Sequence, residues 1–261
     1  MCRERRTVMG DFEKEVRINT FASSDVKKLE LQITAASVLT KETADAEIRV
    51  EAKNLESDRY TCELREGKLV IAYKMEGVVN RLRFGSDDTK ITIYLPAGLT
   101  LEHMVLEIGA GSMDLDAVPV SCNKVDVEIG AGKWKAAQLS VSDSLCVEIG
   151  AGKAKMKDVA AGSLKIDCGV GSSVYRGRVN GDIKVNCGVG NCSFELDNKE
   201  SDFNYDVSCA LGRVRINNSN SRNFVSRKSY PNSPALGTAV FECGIGSIDL
   251  RTTGEGIRSP K

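Results

Sequence analysis

Residues 127–132 read Val-Glu-Ile-Gly-Ala-Gly, and residues 147–152 repeat the same six amino acids. Further stretches vary this pattern of a short apolar strand and a glycine pair, and they end at Gly111, Gly171, Gly190, Gly212 and Gly246. Successive second glycines are 21, 20, 19, 19 and 22 residues apart, and the last interval is 34 residues. A strand pattern that recurs about every 20 residues is typical of a β-solenoid, in which each repeat adds one coil. The sequence therefore predicts an all-β fold, a parallel β-solenoid of the single-stranded, right-handed β-helix type.

The alternation of apolar residues within a coil predicts where the chain bends. In the first coil, apolar side chains fall at positions 104, 106, 108 and 110, and then resume at 113 and 115. Because side chains of a strand alternate between two faces, both stretches point inward only if the chain bends at the second glycine. We expect this corner to need a positive φ, which glycine adopts without the penalty that a Cβ imposes. The predicted structural corners are Gly111, Gly132, Gly152, Gly171, Gly190, Gly212 and Gly246.

The rest of the chain is predicted to extend the same stack. The expected division is a partly mobile lead-in over 1–27, a single solenoid domain over 28–252, and a tail over 253–261. Within the domain, apolar runs of strand length predict irregular coils over 28–100, followed by the Gly-x-Gly coils over 101–252. A polar insertion over 217–238 is rich in residues that break strands, which predicts the absence of regular structure there.

Charge balance and the lack of long apolar runs argue against several classes of function. The 261 residues include 36 basic and 36 acidic ones, so no net charge draws the chain to nucleic acid or to an anionic membrane. No run of about 18 apolar residues exists, and the opening Met-Cys-Arg-Glu-Arg-Arg does not begin a signal peptide. We expect no direct membrane insertion. The predicted location is cytoplasmic for the chain as written, or the cell envelope if an N-terminal anchor has been removed.

Cysteines replace isoleucine in one predicted inward position of the later coils. This column of thiols contains Cys168, Cys187, Cys209 and Cys243. Directly stacked parallel strands give poor geometry for a disulfide, so we expect free thiols and either a reducing compartment or an anaerobic organism. Cys146 is the one coil cysteine with outward parity. Because the chain has no Cys-x-x-Cys pair, a single histidine at His103 and no nucleotide-binding motif, we predict neither a metal nor a cofactor.

Two sets of charged residues form the candidate interaction surface. The outward position before the glycine pair predicts carboxylates one coil apart at Glu107, Glu128, Glu148 and Asp167. Beyond the bend, the predicted stacked pairs are Lys133 with Lys153 and Lys135 with Lys155. Like charges about 5 Å apart repel, so the carboxylates need solvent and salt, a raised pKa, a lysine from across the corner, or a bound cation. We favour ion pairs across the corner, with a Ca²⁺ column and sugar hydrolysis as alternatives.

The passage over 93–98, Ile-Tyr-Leu-Pro-Ala-Gly, leads directly into the tandem Gly-x-Gly coils. In this order of features the chain resembles a bacterial β-strand-repeat family of "putative adhesins", the domain of unknown function 4097. The resemblance covers most of residues 28–252. It implies a parallel β-solenoid without established enzymatic activity, often attached to the bacterial cell envelope.

The sequence therefore favours a non-catalytic, adhesin-like protein that presents repetitive charged faces to an unidentified protein or cell-surface polymer. Self-association into a homo-oligomer is left open. Two other classes remain as alternatives, a carbohydrate-active enzyme on a β-helix and a structural scaffold whose ends stack into filaments. An enzyme needs a groove-forming insertion that carries acids and bases, and a filament needs uncapped terminal coils.

Overall fold

The computed structural model describes residues 5–7, 16–74, 89–217, 219–221, 225–228 and 234–254. Most of this part is strand, and the strands join into one 23-stranded sheet around a continuous core. The strands are β1 (Arg5–Thr7), β2 (Val16–Ala22), β3 (Lys28–Ile33), β4 (Ser37–Thr43), β5 (Glu47–Lys53), β6 (Tyr60–Arg65), β7 (Lys68–Tyr73), β8 (Lys90–Pro96), β9 (Thr100–Ile108), β10 (Ser112–Leu115), β11 (Val120–Ile129), β12 (Lys133–Ala137), β13 (Leu139–Ile149), β14 (Lys153–Cys168), β15 (Ser172–Val179), β16 (Ile183–Cys187), β17 (Asn191–Leu196), β18 (Phe203–Cys209), β19 (Arg213–Ile216), β20 (Ser219–Ser221), β21 (Val225–Lys228), β22 (Gly237–Cys243) and β23 (Ser247–Thr252). Three short 3₁₀ turns lie at Ser23–Asp25, Ser57–Arg59 and Glu200–Asp202. None of the described helical turns has the length and apolar character needed to span a bilayer.

The coils stack through two long ladders of strands that meet at the Gly-x-Gly corners. The first ladder has the order β6, β7, β3, β9, β11, β13, β14, β16, β22, β18 and β21. The second has the order β1, β2, β5, β8, β4, β10, β12, β14, β15, β17, β23, β19 and β20. Pairing is parallel everywhere except near the ends. The predicted all-β class and the stacking of repeats into a solenoid are therefore confirmed.

The coils that contain β11, β13, β14 and β15 have a short third side, because each of these long strands includes a second paired segment. Residues 120–122 pair in parallel with residues 139–141, and two of the latter pair with residues 160–161. Irregular register separates these segments from the rest of each strand, which marks a second bend in the coil. Each coil in this region is consequently three-sided, and its Gly-x-Gly corner joins the two longest sides.

The structure corrects the predicted corner in two respects. The turn covers both glycines, so the middle residue of each Gly-x-Gly, which we predicted to point inward, is exposed. The corner glycines also lack the positive φ that we expected. The described glycines with a positive φ are Gly67, Gly98, Gly177 and Gly254. A different physical reason must therefore exclude a side chain at the second glycine.

That reason is the close stacking of successive corners. A Cβ on Gly152 would lie 2.5 Å from the carbonyl oxygen of Gly132, in the coil below. A Cβ on Gly150 would lie 3.0 Å from the carbonyl oxygen of Gly130. At all seven second glycines the corresponding distance to a backbone oxygen is between 2.1 and 2.5 Å. The second glycine is required because the backbones of two coils approach each other there.

The last two coils do not stack in sequence order. Strand β22 lies between β16 and β18, and β23 lies between β17 and β19. Residues 203–216 therefore form the outermost coil, and residues 237–252, which come later in the chain, form the coil between it and the coil of β16 and β17. Cys243 therefore precedes Cys209 along the axis, so the order in which the sequence listed the thiol column is wrong at this end. The 34-residue interval between Gly212 and Gly246 supplies the chain length for this return.

Antiparallel strands cover both ends of the parallel stack. At one end, β20 and β21 from the insertion over 217–238 pair with β19 and β18. Our prediction that the insertion lacks regular structure is therefore wrong for residues 219–221 and 225–228. At the other end, β6 pairs with β7, and β5 and β2 extend the sheet from β8. Between these caps, β3 and β4 form a coil that stacks in parallel on β9 and β10.

Inward side chains of both ladders fill the core. Trp134 is 1% exposed and lies between Met113 and Ala154 of the adjoining coils, so it fills volume beside a small neighbour. The predicted thiol column is confirmed as a buried row, with the order Cys168, Cys187, Cys243 and Cys209 along the axis. The thiol of Cys192, from the second ladder, also contacts Cys168.

Candidate functional site

The four predicted carboxylates align on the exposed face of the first ladder, and we call them the carboxylate row. Along the axis the row contains Glu107, Glu128, Glu148 and Asp167. Gln32 precedes the row, and Asn186, Glu242 and Ser208 follow it in that order. The parallel register of the first ladder therefore brings these residues together as the sequence predicted.

Lys165 neutralises one end of the carboxylate row. Its Nζ lies 2.6 Å from Asp167 Oδ2 and 3.5 Å from Glu148 Oε1. Asn186 also donates a hydrogen bond to Asp167. Burial raises the pKa of Asp167, but the hydrogen bonds from Lys165 and Asn186 outweigh it and hold this pKa below its usual value. Asp167 is therefore ionised and already paired.

The other end of the carboxylate row has weaker partners. Gln32 donates a hydrogen bond of 3.3 Å to Glu107 and one of 3.1 Å to Glu30. Glu128, in the middle of the row, has no hydrogen-bond or ion-pair partner among the described residues. Its carboxylate faces solvent and is the member of the row most available to a ligand or partner.

The predicted lysines align on the exposed face of the second ladder. Lys133 and Lys153 form the row nearest the corner, which we call the lysine row, and Lys135 and Lys155 form the next. Lys135 pairs with Asp114 at 3.2 Å. Lys133, Lys153 and Lys155 make no salt bridge within the part of the chain that the structure describes. The ion pairs that we expected across the corner are thus not formed by these three lysines, and no carboxylate of the described residues contacts the lysine row.

An exposed row of apolar side chains separates the carboxylate row from the lysine row. We call it the apolar ridge, and along the axis it contains Ala110, Ala131, Ala151, Val170, Val189, Ile245 and Leu211. The four larger members are between 57 and 76% exposed, and they are four of the five large hydrophobic side chains exposed in the described chain. Sequence reasoning missed the ridge because alternation continues through position 110. The varying size of this residue, from Ala to Leu, was the available signal, since a packed core restricts volume.

A shallow, open groove lies beside the ridge. Its lining residues include the carboxylates Glu128, Glu148 and Asp167 and the first glycines Gly130, Gly150 and Gly169. Gln32, Glu107 and Gly109 line its extension toward the N-terminal cap. Because the floor consists of glycine backbone and the groove follows the solenoid axis, it suits contact with a long partner better than enclosure of a small molecule.

The first ladder carries one more cluster of polar side chains, around Asp126 and His103. Its Nε2 lies 2.7 Å from Asp126 Oδ2, and Lys124 Nζ lies 2.9 Å from the same oxygen. Cys146 is half-buried in the next coil, beside Asp126. Burial raises the pKa of Cys146, so its thiol is not activated as a nucleophile. Within the described ranges, no group of three or more His, Cys, Asp or Glu side chains is placed to hold a metal ion.

Comparisons with known proteins identify the family. A "putative adhesin" of Bacteroides fragilis NCTC 9343 is 11% identical, with a TM-score of 0.42 over 91% of this chain and 98% of its own. One of Parabacteroides distasonis ATCC 8503 is 15% identical, with a TM-score of 0.41 over 93% and 99%. A "putative lipid binding protein" of the same organism is 14% identical, with a TM-score of 0.44 over 93% and 97%. No curated protein matches. The sequence model of Toastrack DUF4097 matches residues 26–234, which is most of the chain, and the protein therefore belongs to the Toastrack DUF4097 family.

Proposed function

We propose that this protein is a non-catalytic, adhesin-like interaction module that binds an extended partner along its Gly-x-Gly corner. The observation that carries the proposal is the pair of oppositely charged rows on the two sides of one corner, each with members that have no partner among the residues that the structure describes. Both rows repeat at the strand spacing of about 4.8 Å. Such a surface suits a partner with repeated charged groups, either a protein or a cell-surface polymer.

The arrangement of acids supports binding over catalysis. Glycosidases place two carboxyl groups on opposite sides of a scissile bond, whereas the carboxylates here form one row along an open groove. An enzyme would also need an insertion that forms a groove and carries acids and bases, whereas the insertion over 217–238 supplies strands β20 and β21, which cover the terminal coil. The solved structures that resemble this chain carry the names of adhesins and of a lipid-binding protein. We therefore prefer an interaction protein to a carbohydrate-active enzyme.

We also propose that residues 28–252 form one domain of right-handed, single-stranded coils. The core that continues from Leu29 to Leu250 supports a single domain. Part of the predicted lead-in over 1–27 also belongs to the fold, because β2 pairs with β5 and Phe21 and Val26 are buried in the same core. Right-handed winding is the general preference of crossovers between parallel strands. The compartment stays a prediction, with the buried thiol row in favour of a reducing one and the adhesin-type similarity in favour of the cell envelope.

Charge reversal on the lysine row tests the interaction proposal. Wild-type protein, Lys133→Glu/Lys153→Glu and a control would be immobilised and offered bacterial lysate, envelope fractions and a panel of acidic and neutral glycans. The control, Lys27→Glu/Lys157→Glu, makes the same change of net charge at exposed lysines away from the corner. We expect the corner variant to lose at least about ten-fold in affinity while the control binds like the wild type. Equal binding by all three proteins would place the contact elsewhere, and glycan cleavage by the wild type would favour the enzyme.

A further inference from the structure

The apolar ridge is a contiguous surface rather than scattered exposure. Val170, Val189, Ile245 and Leu211 occupy four consecutive coils, because each middle residue donates its backbone N–H to the corner of the preceding coil. At about 4.8 Å per coil, the four side chains form a line about 14 Å long. Single exposed apolar residues are common in proteins, whereas a continuous line of them marks a contact surface.

The charges beside the ridge restrict what can cover it. On one side Glu128 and Glu148 face solvent, and on the other side Lys133 and Lys153 do so at the same two coils. The ridge lies between the two rows, so a carboxylate and a lysine of one coil do not meet within a single chain. A partner that satisfies both must present an apolar line with basic groups on one side and acidic groups on the other. The protein itself has that pattern.

We propose that a second copy of this chain covers the ridge, with the twofold axis parallel to the solenoid axis. This rotation places each carboxylate row opposite the lysine row of the partner, so Glu128 meets Lys133 and Glu148 meets Lys153, and each contact occurs twice. The ridges then meet coil by coil, with Leu211 against its own copy. A twofold axis perpendicular to the solenoid axis would instead place carboxylate rows side by side. The proposal deepens the proposed function, since it names one partner for the same corner.

The expected dimer is weak. Stable interfaces bury about 800 Å² on each partner, and a single apolar line with exposed ion pairs supplies less than that. We therefore expect a concentration-dependent equilibrium with a dissociation constant roughly between 1 and 100 μM. Such a dimer presents its free faces to other partners and buries the corner.

Sedimentation velocity of the full chain at several concentrations tests the dimer directly. We expect serine substitutions at Val170, Val189, Ile245 and Leu211 to weaken association at least about ten-fold while the circular dichroism spectrum is unchanged, because these side chains are exposed. Glu128→Lys/Glu148→Lys and Lys133→Glu/Lys153→Glu should each weaken it, and the chain carrying all four changes should associate again. A wild-type protein that stays monomeric at about 500 μM, roughly five-fold above the upper limit of the expected range, would overturn the proposal.

Cross-linking fixes the orientation. In the proposed dimer Leu211 faces its own copy, so Leu211→Cys should form a covalent dimer rapidly when oxidised with copper–phenanthroline. Leu236→Cys is the matched control, because Leu236 is exposed away from the ridge. The wild type measures the cross-linking that the native thiols cause. Equal cross-linking of the two variants above that background would contradict the proposed axis. Partner capture that survives the four serine substitutions would show that the interaction proposal holds even if the dimer does not form.

Discussion

At the scale of single residues, the corner glycines show how backbone stacking restricts the side chain. A Cβ added to the second glycine of each pair would lie only 2.1 to 2.5 Å from a carbonyl oxygen of the coil below, which is too close for any side chain. A Cβ added to the first glycine would lie 2.7 to 3.0 Å from such an oxygen, so a methyl group there needs a smaller shift of the backbone. Ala210 stands at a first position, which agrees with this difference.

Alanine substitution measures that difference. We expect Gly152→Ala to lower the free energy of unfolding by about 2–4 kcal/mol, because the coils must separate locally to accept the methyl group. Gly150→Ala should cost about 1 kcal/mol or less. Urea denaturation followed by circular dichroism gives both values, and equal losses would remove the stacking explanation.

The ion pair at Asp167 should appear in the pH dependence of stability. Since the pKa of Asp167 is lowered in the folded protein, the pair stabilises the fold above the unfolded pKa of about 3.9. This contribution is lost as the pH falls through the folded pKa. We expect Lys165→Met to raise the pKa of Asp167 and to cost at most about 1 kcal/mol at pH 7, because both side chains are partly exposed.

Carboxyl carbon NMR would follow the pKa of Asp167. Urea denaturation at pH 7 and at a pH below that folded pKa would follow the stability, and the difference between variant and wild type should vanish at the lower pH. Lys184→Met is the control, since Lys184 lies beside Lys165 in the next strand and makes no salt bridge to a described residue. If Lys184→Met moves the pKa of Asp167 as far as Lys165→Met does, the shift comes from the general field of lysines and not from the pair.

At the scale of elements, the antiparallel strands at both ends determine whether the stack can continue into another molecule. A parallel stack ends in strands with unpaired N–H and C=O groups, which favour edge-to-edge association. Here β21 covers β18 and β20 covers β19. This arrangement argues against filaments formed by open terminal coils.

Replacement of residues 219–228 with a ten-residue Gly-Ser linker removes both strands of this cap. We expect the exposed edges of β18 and β19 to drive association into assemblies larger than a dimer, visible by sedimentation velocity and by thioflavin T fluorescence. The serine variant of the apolar ridge is a useful background, since its own dimerisation is weakened. An uncapped protein that sediments like its parent would show that these strands do not protect the edge.

At the scale of the whole molecule, the strand count of the first ladder sets a minimum length. Eleven strands follow one another in that ladder, and ten spacings of about 4.8 Å give about 48 Å between the first and last strands. Small-angle X-ray scattering at low concentration should therefore report an elongated monomer. At high concentration the proposed dimer should increase the cross-section of the particle and leave its length nearly unchanged. A particle that lengthens instead would indicate end-to-end association.

The sequence by itself determined the architecture of the repeats and the register of their columns. A pattern of alternating strand and glycine pair that recurs about every 20 residues indicates stacked coils. Residues at the same distance from each glycine pair are then aligned along the stack, so the carboxylate row and the thiol row were predictable. These features depend on local pattern, which a single chain displays directly.

Only the tertiary structure decided the features that depend on neighbouring coils. Parity could not reveal that the turn includes both glycines, because the exposure of Val189 or Leu211 follows from the direction in which the backbone turns between the two ladders, while hydrogen bonds between coils continue through the corner. The exchange of the last two coils and the cap by β20 and β21 also depend on contacts distant in sequence. The ion pairs of Lys165 include both kinds of contact. Asp167 lies two residues further along the same strand, whereas Glu148 belongs to the adjoining coil and only the stacking of the coils brings it within 3.5 Å of Lys165.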